Sequence, residues 1–97
     1  MRHFFLVAYD ISDPKRLQRV MKTVRDFGER AQLSVYVCQL SEKDLVVLKE
    51  RLRWKINSRE DQVIFVKLGP VEGGAIDARV ESMGRPLEVR DLKVMIF

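Results

Sequence analysis

Apolar and polar positions along the chain fall into two rhythms. A period of two marks strands, and recurrence at three and four marks helices. Residues 2–9, Arg-His-Phe-Phe-Leu-Val-Ala-Tyr, are apolar on both alternating faces, which predicts a central strand covered on both sides. Asp10 closes that run, and Ser12-Asp13-Pro14 predicts a loop followed by a capped helix start. Leu17, Val20, Met21, Val24 and Phe27 then form one apolar stripe, so a helix is expected to run to about Phe27 and stop at Gly28. Its polar side carries Lys15, Arg16, Arg19, Lys22 and Arg25, opposed only by Asp26.

Residues 30–40 alternate as strand but are long for a single one, and a bulge or tight turn near Ser34 is expected to divide them. Ser41-Glu42-Lys43-Asp44 has the form of a capping box with Asp in place of Glu or Gln. A second helix is predicted from there to about Ile56, burying Leu45, Leu48, Leu52 and Ile56, with Asn57-Ser58 as its break. Residues 62–68, Gln-Val-Ile-Phe-Val-Lys-Leu, read as a strand with two largely apolar faces. After Gly69-Pro70 the pattern becomes irregular: residues 75–83 suit a short helix or an extended arm, and Val94-Met95-Ile96-Phe97 suits a last strand.

This order of elements predicts an α+β fold, a ferredoxin-like βαββαβ domain over residues 1–68 with both helices on one side of the sheet. Residues 69–97 are expected to be a tail whose additional C-terminal strand packs on a dimer. The dimer follows from the sheet itself. Phe4, Leu6 and Ala8 oppose Phe5, Val7 and Tyr9, while Val63 and Phe65 oppose Ile64, Val66 and Leu68, so the face without helices is also apolar. A patch of several hundred Å² is rarely left in water, and a homodimer related by a two-fold axis covers it with a second copy of itself. A tail folded back over its own sheet is the alternative.

Size and charge narrow the function. Ninety-seven residues make one domain. A domain of that length buries only about 60–65% of its unfolded surface, so association stabilises it. Eighteen Lys and Arg against 14 Asp and Glu leave +4, a mild excess in keeping with a polyanion such as RNA or DNA. The single cysteine, Cys38, excludes an internal disulfide and a cysteine-rich zinc cage, and it suits a reducing cytoplasm. No run is long and apolar enough to span a bilayer, so no membrane partner and a cytoplasmic location are expected.

The chemistry is limited by what is missing. One histidine, His3, excludes a two-histidine nuclease mechanism within one chain. No Gly-rich phosphate loop follows the first strand, and Cys38 within a strand reads as inert packing. The carboxylates of Asp10, at the end of the first strand, and Asp13, at the helix start, remain. As residue types they suit a turn and a helix cap. They equally suit metal chemistry if a two-fold axis brings a second Asp10 to the same place. Two carboxylates, water and a phosphate oxygen then complete the octahedral oxygen site that Mg²⁺ requires. A metal held there activates water and stabilises the phosphoryl transition state where no histidine base exists.

Tyr9-Asp10-Ile11-Ser12-Asp13, followed by Arg16 and Arg19 and then by Phe27-Gly28-Glu29-Arg30-Ala31-Gln32-Leu33-Ser34-Val35-Tyr36, resembles the CRISPR-associated protein two family over residues 1–68. The resemblance implies a ferredoxin-like homodimer active in CRISPR spacer acquisition, with metal-dependent endoribonuclease activity and Asp10 as the catalytic Mg²⁺ ligand. It also implies a partner, the CRISPR integrase, and an alternative role in which the dimer is a non-catalytic scaffold bridging the integrase and DNA. Arg16, Arg19, Arg30 and Tyr36 match positions suited to nucleic-acid contact, and Tyr9, Ser12, Asp13 and Ser34 match supporting positions. Val37 stands where many relatives carry an acidic residue.

Overall fold

The computed structural model describes residues 1–73, 79–85 and 87. Its elements run β1 (His3–Asp10), α1 (Pro14–Arg25), β2 (Gly28–Gln32), β3 (Val35–Leu40), α2 (Glu42–Arg53) and β4 (Gln62–Pro70). The sheet has the order β2-β3-β1-β4, and every neighbouring pair is antiparallel. This is the ferredoxin-like α+β arrangement expected from the pattern, with β1 central. The predicted additional C-terminal strand, residues 94–97, lies outside the described residues. Residues 79–85 form neither helix nor strand, and no helix among the described residues is long and apolar enough to cross a membrane.

Local chemistry accounts for the helix starts. Asp13 accepts a hydrogen bond from the Arg16 amide at 2.9 Å and caps α1, with Pro14 in the first turn, where its missing N–H has no intrahelical partner to lose. The Ser41 hydroxyl accepts from the Asp44 amide at 3.1 Å while Asp44 accepts from the Ser41 amide at 3.0 Å, so the capping box forms with Asp at its third position.

Both helices end earlier than their apolar period predicts, for one reason. The last turn tightens into i→i−3 bonds, Phe27 N–H to Val24 O and Lys55 N–H to Leu52 O, both 2.9 Å. Phe27 and Ile56 still pack against the core from these turns, so the stripe outlasts the helix. Gly28 therefore opens β2 instead of ending α1. A Cβ there would stand under 3.0 Å from Cys38 Sγ and the Val37 carbonyl, so only glycine permits this strand approach. The long second strand divides at Leu33-Ser34, as expected.

The core lies between the sheet and the helices. It is built from Phe5, Val7, Tyr9, Tyr36, Cys38 and Leu40 on the strands, with Val20, Val24, Leu48 and Leu52 on the helices. Full burial of a side chain such as Leu48 contributes about 1.5–3 kcal/mol. The opposite face of the sheet carries Phe4, Leu6 and Ala8 of β1 flanked by Val35 and Val37 of β3 and by Ile64 and Val66 of β4. At the Phe4 end the Arg79 guanidinium lies over the phenyl ring, 5.5 Å from its centre, and donates to the Pro70 carbonyl. At the other end, toward Asp10, Ile64 and Val66 remain 44% and 43% exposed. The described chain thus leaves an apolar face open beside the end of β1.

Candidate functional site

Strand alternation decides which way Asp10 faces. Phe5, Val7 and Tyr9 point into the core, so Phe4, Leu6, Ala8 and Asp10 line the open face, with Asp10 last in the row. Asp10 pairs across the sheet with Gln62, the first residue of β4. Its side chain is exposed and makes no hydrogen bond or ion pair with any described residue. No described residue occupies its oxygens.

Asp61, one residue before Gln62, is the opposite case and was not singled out in the sequence. Its side chain has no accessible surface, although it is not part of the apolar core. Oδ2 accepts from Arg16 Nε at 2.8 Å and from the Asn57 amide at 2.8 Å. Oδ1 accepts from the Ser12 amide at 3.1 Å and from Arg16 Nη2 at 3.2 Å. The Ser12 hydroxyl stands 3.3 Å from the same Oδ1 and 3.2 Å from Glu60 Oε1, and its oxygen takes a second Arg16 Nη2 contact at 3.2 Å. The Arg16 guanidinium and two backbone amides hold the Asp61 carboxyl well below the usual carboxylate range, and Arg16 is correspondingly harder to deprotonate.

Backbone geometry delivers Asp61 to this place. Asn57 turns the chain after α2, its carbonyl accepting from the Glu60 and Asp61 amides at 3.1 and 2.8 Å and its side chain from the Arg59 amide at 2.9 Å. The turn folds the carboxylate back onto the Asn57 amide and across to the β1–α1 loop. Two loops, residues 10–13 and 57–61, are thereby joined at one end of the sheet.

The structure brings only some of the expected site residues together. Asp10, Ser12, Asp13 and Arg16 share the β1–α1 loop and first helical turn, and the Tyr9 amide donates to the Ser34 carbonyl at 3.1 Å, bringing the β2–β3 turn alongside. Arg16 is turned inward onto Asp61 instead of standing free on the helix surface. Arg19 is exposed on α1 and Arg30 on β2. Tyr36, expected at a nucleic acid, is a core residue: it is 2% exposed, and its ring stacks on that of Tyr9 with centres 6.2 Å apart. A ring so enclosed presents no face to a ligand from the protomer surface. Burial pushes the Tyr9 hydroxyl up to about 12, Tyr36 adds to the rise, and the Arg30 charge opposes it. His3 opens β1 and Asp10 ends it, which separates them by roughly 23 Å at strand rise.

Comparison with known proteins fits this architecture. Residues 1–72 match the family model described as CRISPR associated protein Cas2. The chain is similar to the CRISPR-associated endoribonuclease Cas2 1 of Rhodospirillum rubrum, 38% identical over 95 residues, covering 98% of this chain and 91% of that one. It is also similar to the CRISPR-associated endonuclease Cas2 2 of Thermus thermophilus, 32% identical over 94 residues, covering 97% and 98%. Among solved structures, Streptococcus pyogenes Cas2 superposes with a TM-score of 0.69 at 34% identity, covering 84% of this chain and 99% of that one. A hypothetical protein from Thermus thermophilus superposes at 0.75 with 31% identity, covering 93% and 100%. A family model that spans β1 through β4, with relatives of this identity along nearly the whole chain, settles the lineage: the chain belongs to the CRISPR associated protein Cas2 family.

Proposed function

We propose that the protein is a Mg²⁺-dependent endonuclease of CRISPR spacer acquisition that works as a homodimer, with Asp10 of each protomer holding the ion at the two-fold axis. The position of Asp10 carries this reading: it is an exposed carboxylate without a side-chain partner among the described residues, last in the row Phe4-Leu6-Ala8-Asp10 on an apolar sheet face that the described residues leave open at the Asp10 end. Covering that face with a second copy places two such carboxylates beside one interface. The names of the relatives, endoribonuclease and endonuclease, support phosphodiester cleavage as the activity.

The donor chemistry fits Mg²⁺. A carboxylate is a hard oxygen ligand, and this ion is commonly held by one or two of them with water and substrate phosphate completing its shell. Among the described residues no three His, Cys, Asp or Glu converge on one point, so the described part of one protomer offers Asp10 as a lone ligand and the symmetry mate supplies the second. When bound, such an ion lowers the pKa of a coordinated water and neutralises charge developing on the phosphate. The chain's own residues then orient the substrate: Arg19 and Arg30 present exposed guanidiniums for backbone phosphates, while Asp13 caps the start of α1.

Single-stranded RNA and duplex DNA, each incubated with the purified dimer and Mg²⁺, test the reading. Cleavage is expected to stop with EDTA and to fall at least roughly 100-fold in Asp10→Ala, a loss at or beyond the upper end of what removing an outer-shell partner costs. Equal cleavage by Asp10→Ala and wild type overturns it. No cleavage by either protein, with spacer acquisition intact in Asp10→Ala and lost on charge reversal of Arg19, points instead to a scaffold bridging the CRISPR integrase and DNA.

A further inference from the structure

Asp10 has no side-chain partner among the described residues, so the loop that follows must set where its carboxylate points. We propose that Asp61 is the positioning residue for Asp10: through Ser12 and Arg16 it clamps the β1–α1 loop onto the 57–61 turn and fixes the end of β1. The inference rests on the reading of Asp10 as a metal ligand and deepens it.

The contacts are specific to that loop. The Ser12 amide, two residues after Asp10, is held by Asp61 Oδ1 at 3.1 Å. Arg16, one turn into α1, is held along one edge of its guanidinium, Nε on one carboxylate oxygen and Nη2 on the other. The same oxygens accept the Asn57 amide at 2.8 Å, which ties the clamp to the turn that leads into β4. Gln62 next to Asp61 pairs with Asp10 itself, so both ends of the clamp border the same rung of the sheet. Removing the carboxylate leaves the Ser12 amide, Arg16 Nε and the Asn57 amide without this acceptor, at the point where β1 ends.

The clamp also assigns Arg16 a role that differs from phosphate contact. A phosphate contact needs positive charge, and lysine supplies it. A side-on pair with a carboxylate needs two nitrogens in a plane, which lysine lacks. Arg16→Lys therefore separates the two roles: a positioning arginine fails on conversion to lysine, and a phosphate contact largely survives it.

The test compares wild type, Asp61→Asn and Arg16→Lys as full-length dimers, with Asp10→Ala as the ligand control. Val24→Ala controls for general destabilisation, because Val24 is a core residue of α1 two turns beyond Arg16. All are measured at a temperature where circular dichroism shows them folded. Mn²⁺ binding is read by paramagnetic resonance of the free ion, the Ser12 amide by hydrogen exchange, and cleavage by kcat and KM separately. The clamp predicts that Asp61→Asn and Arg16→Lys both bind Mn²⁺ roughly 10- to 100-fold more weakly, the usual cost of losing a residue that orients a ligand. It also predicts faster Ser12 exchange and a lower kcat with little change in KM, while Val24→Ala behaves as wild type. Wild-type Mn²⁺ affinity in a folded Asp61→Asn overturns the proposal, as does wild-type affinity in Arg16→Lys should Asp61→Asn fail to fold. Absence of Mn²⁺ binding in wild type, or equal binding in Asp10→Ala, removes the metal reading and the positioning role with it. That outcome is distinguished by the Asp10→Ala control.

Discussion

Two aspartates border the same end of the sheet, Asp10 as the last residue of β1 and Asp61 in the turn just before β4, and have opposite surroundings. Asp61 is closed off from solvent and accepts from Ser12, Arg16 and Asn57. Asp10 is open to solvent with no partner among the described residues. Buried polar groups are almost always satisfied by the fold, so a carboxylate with a full set of donors is explained by structure. A carboxylate that ends an apolar row with no partner among the described residues has no such structural explanation. The contrast separates a carboxylate tied into the fold from one left open to solvent.

Substitution at the two aspartates should therefore differ in what it costs the fold. The largest effect expected is on activity at Asp10: Asp10→Ala loses cleavage while its melting temperature stays within roughly 3 °C of wild type, as for an exposed side chain without partners. Calorimetry beside the nuclease assay checks this, and a large fall in melting temperature would show that Asp10 is structural after all. Next comes the interface. Val66→Glu puts a charge on the open face at a side chain 43% exposed in the protomer. Sedimentation should then show a folded monomer whose cleavage is as low as that of Asp10→Ala. A dimer that persists places the contact elsewhere.

Asp61→Asn adds a cost to stability that Asp10→Ala lacks, lowering the melting temperature by several degrees because an amide nitrogen must face donors that a carboxylate oxygen accepted. Acid sharpens the same comparison. The folded-state pKa of Asp61 is depressed, so its contribution is fully present above the unfolded value near 3.9 and is lost as pH falls below it toward the folded value. Denaturant unfolding from pH 7 to pH 2 should show this loss in wild type and not in Asp61→Asn.

The smallest effect lies beneath the site. Tyr9 is held neutral up to about 12, so its contribution is complete below the ordinary value near 10 and fades as pH rises toward 12. Absorbance at 295 nm should show a step near 12 that Tyr9→Phe removes.

How much of this was legible in the sequence follows from the range of each interaction. The caps at Asp13 and Ser41–Asp44, the split near Ser34 and the two-faced β1 are written in neighbouring residues and appear as expected. The place of Asp10 at the exposed end of β1 was legible because one acidic residue ends an apolar run. Gly28 was misplaced because an apolar stripe continues through the tightened last turn of α1, and the close approach that requires glycine comes from Cys38, on another strand. Tyr36 was assigned to a surface because period-two alternation gives two faces without saying which the helices cover. Asp61 was illegible for a related reason: its partners Ser12 and Arg16 lie 49 and 45 residues away. The local hint was an acidic residue between the Asn57 turn and an apolar strand. Arg16, read as one of a basic stripe, became a clamp residue only once that distant carboxylate was in place.

Counting the ions bound tests the central claim most directly. Titration of the purified protein with Mn²⁺, followed by native mass spectrometry, should give one ion per two chains in wild type and none in Asp10→Ala. An ion bound equally well by Asp10→Ala, or by a monomeric Val66→Glu protein, would contradict a site built from two Asp10 carboxylates.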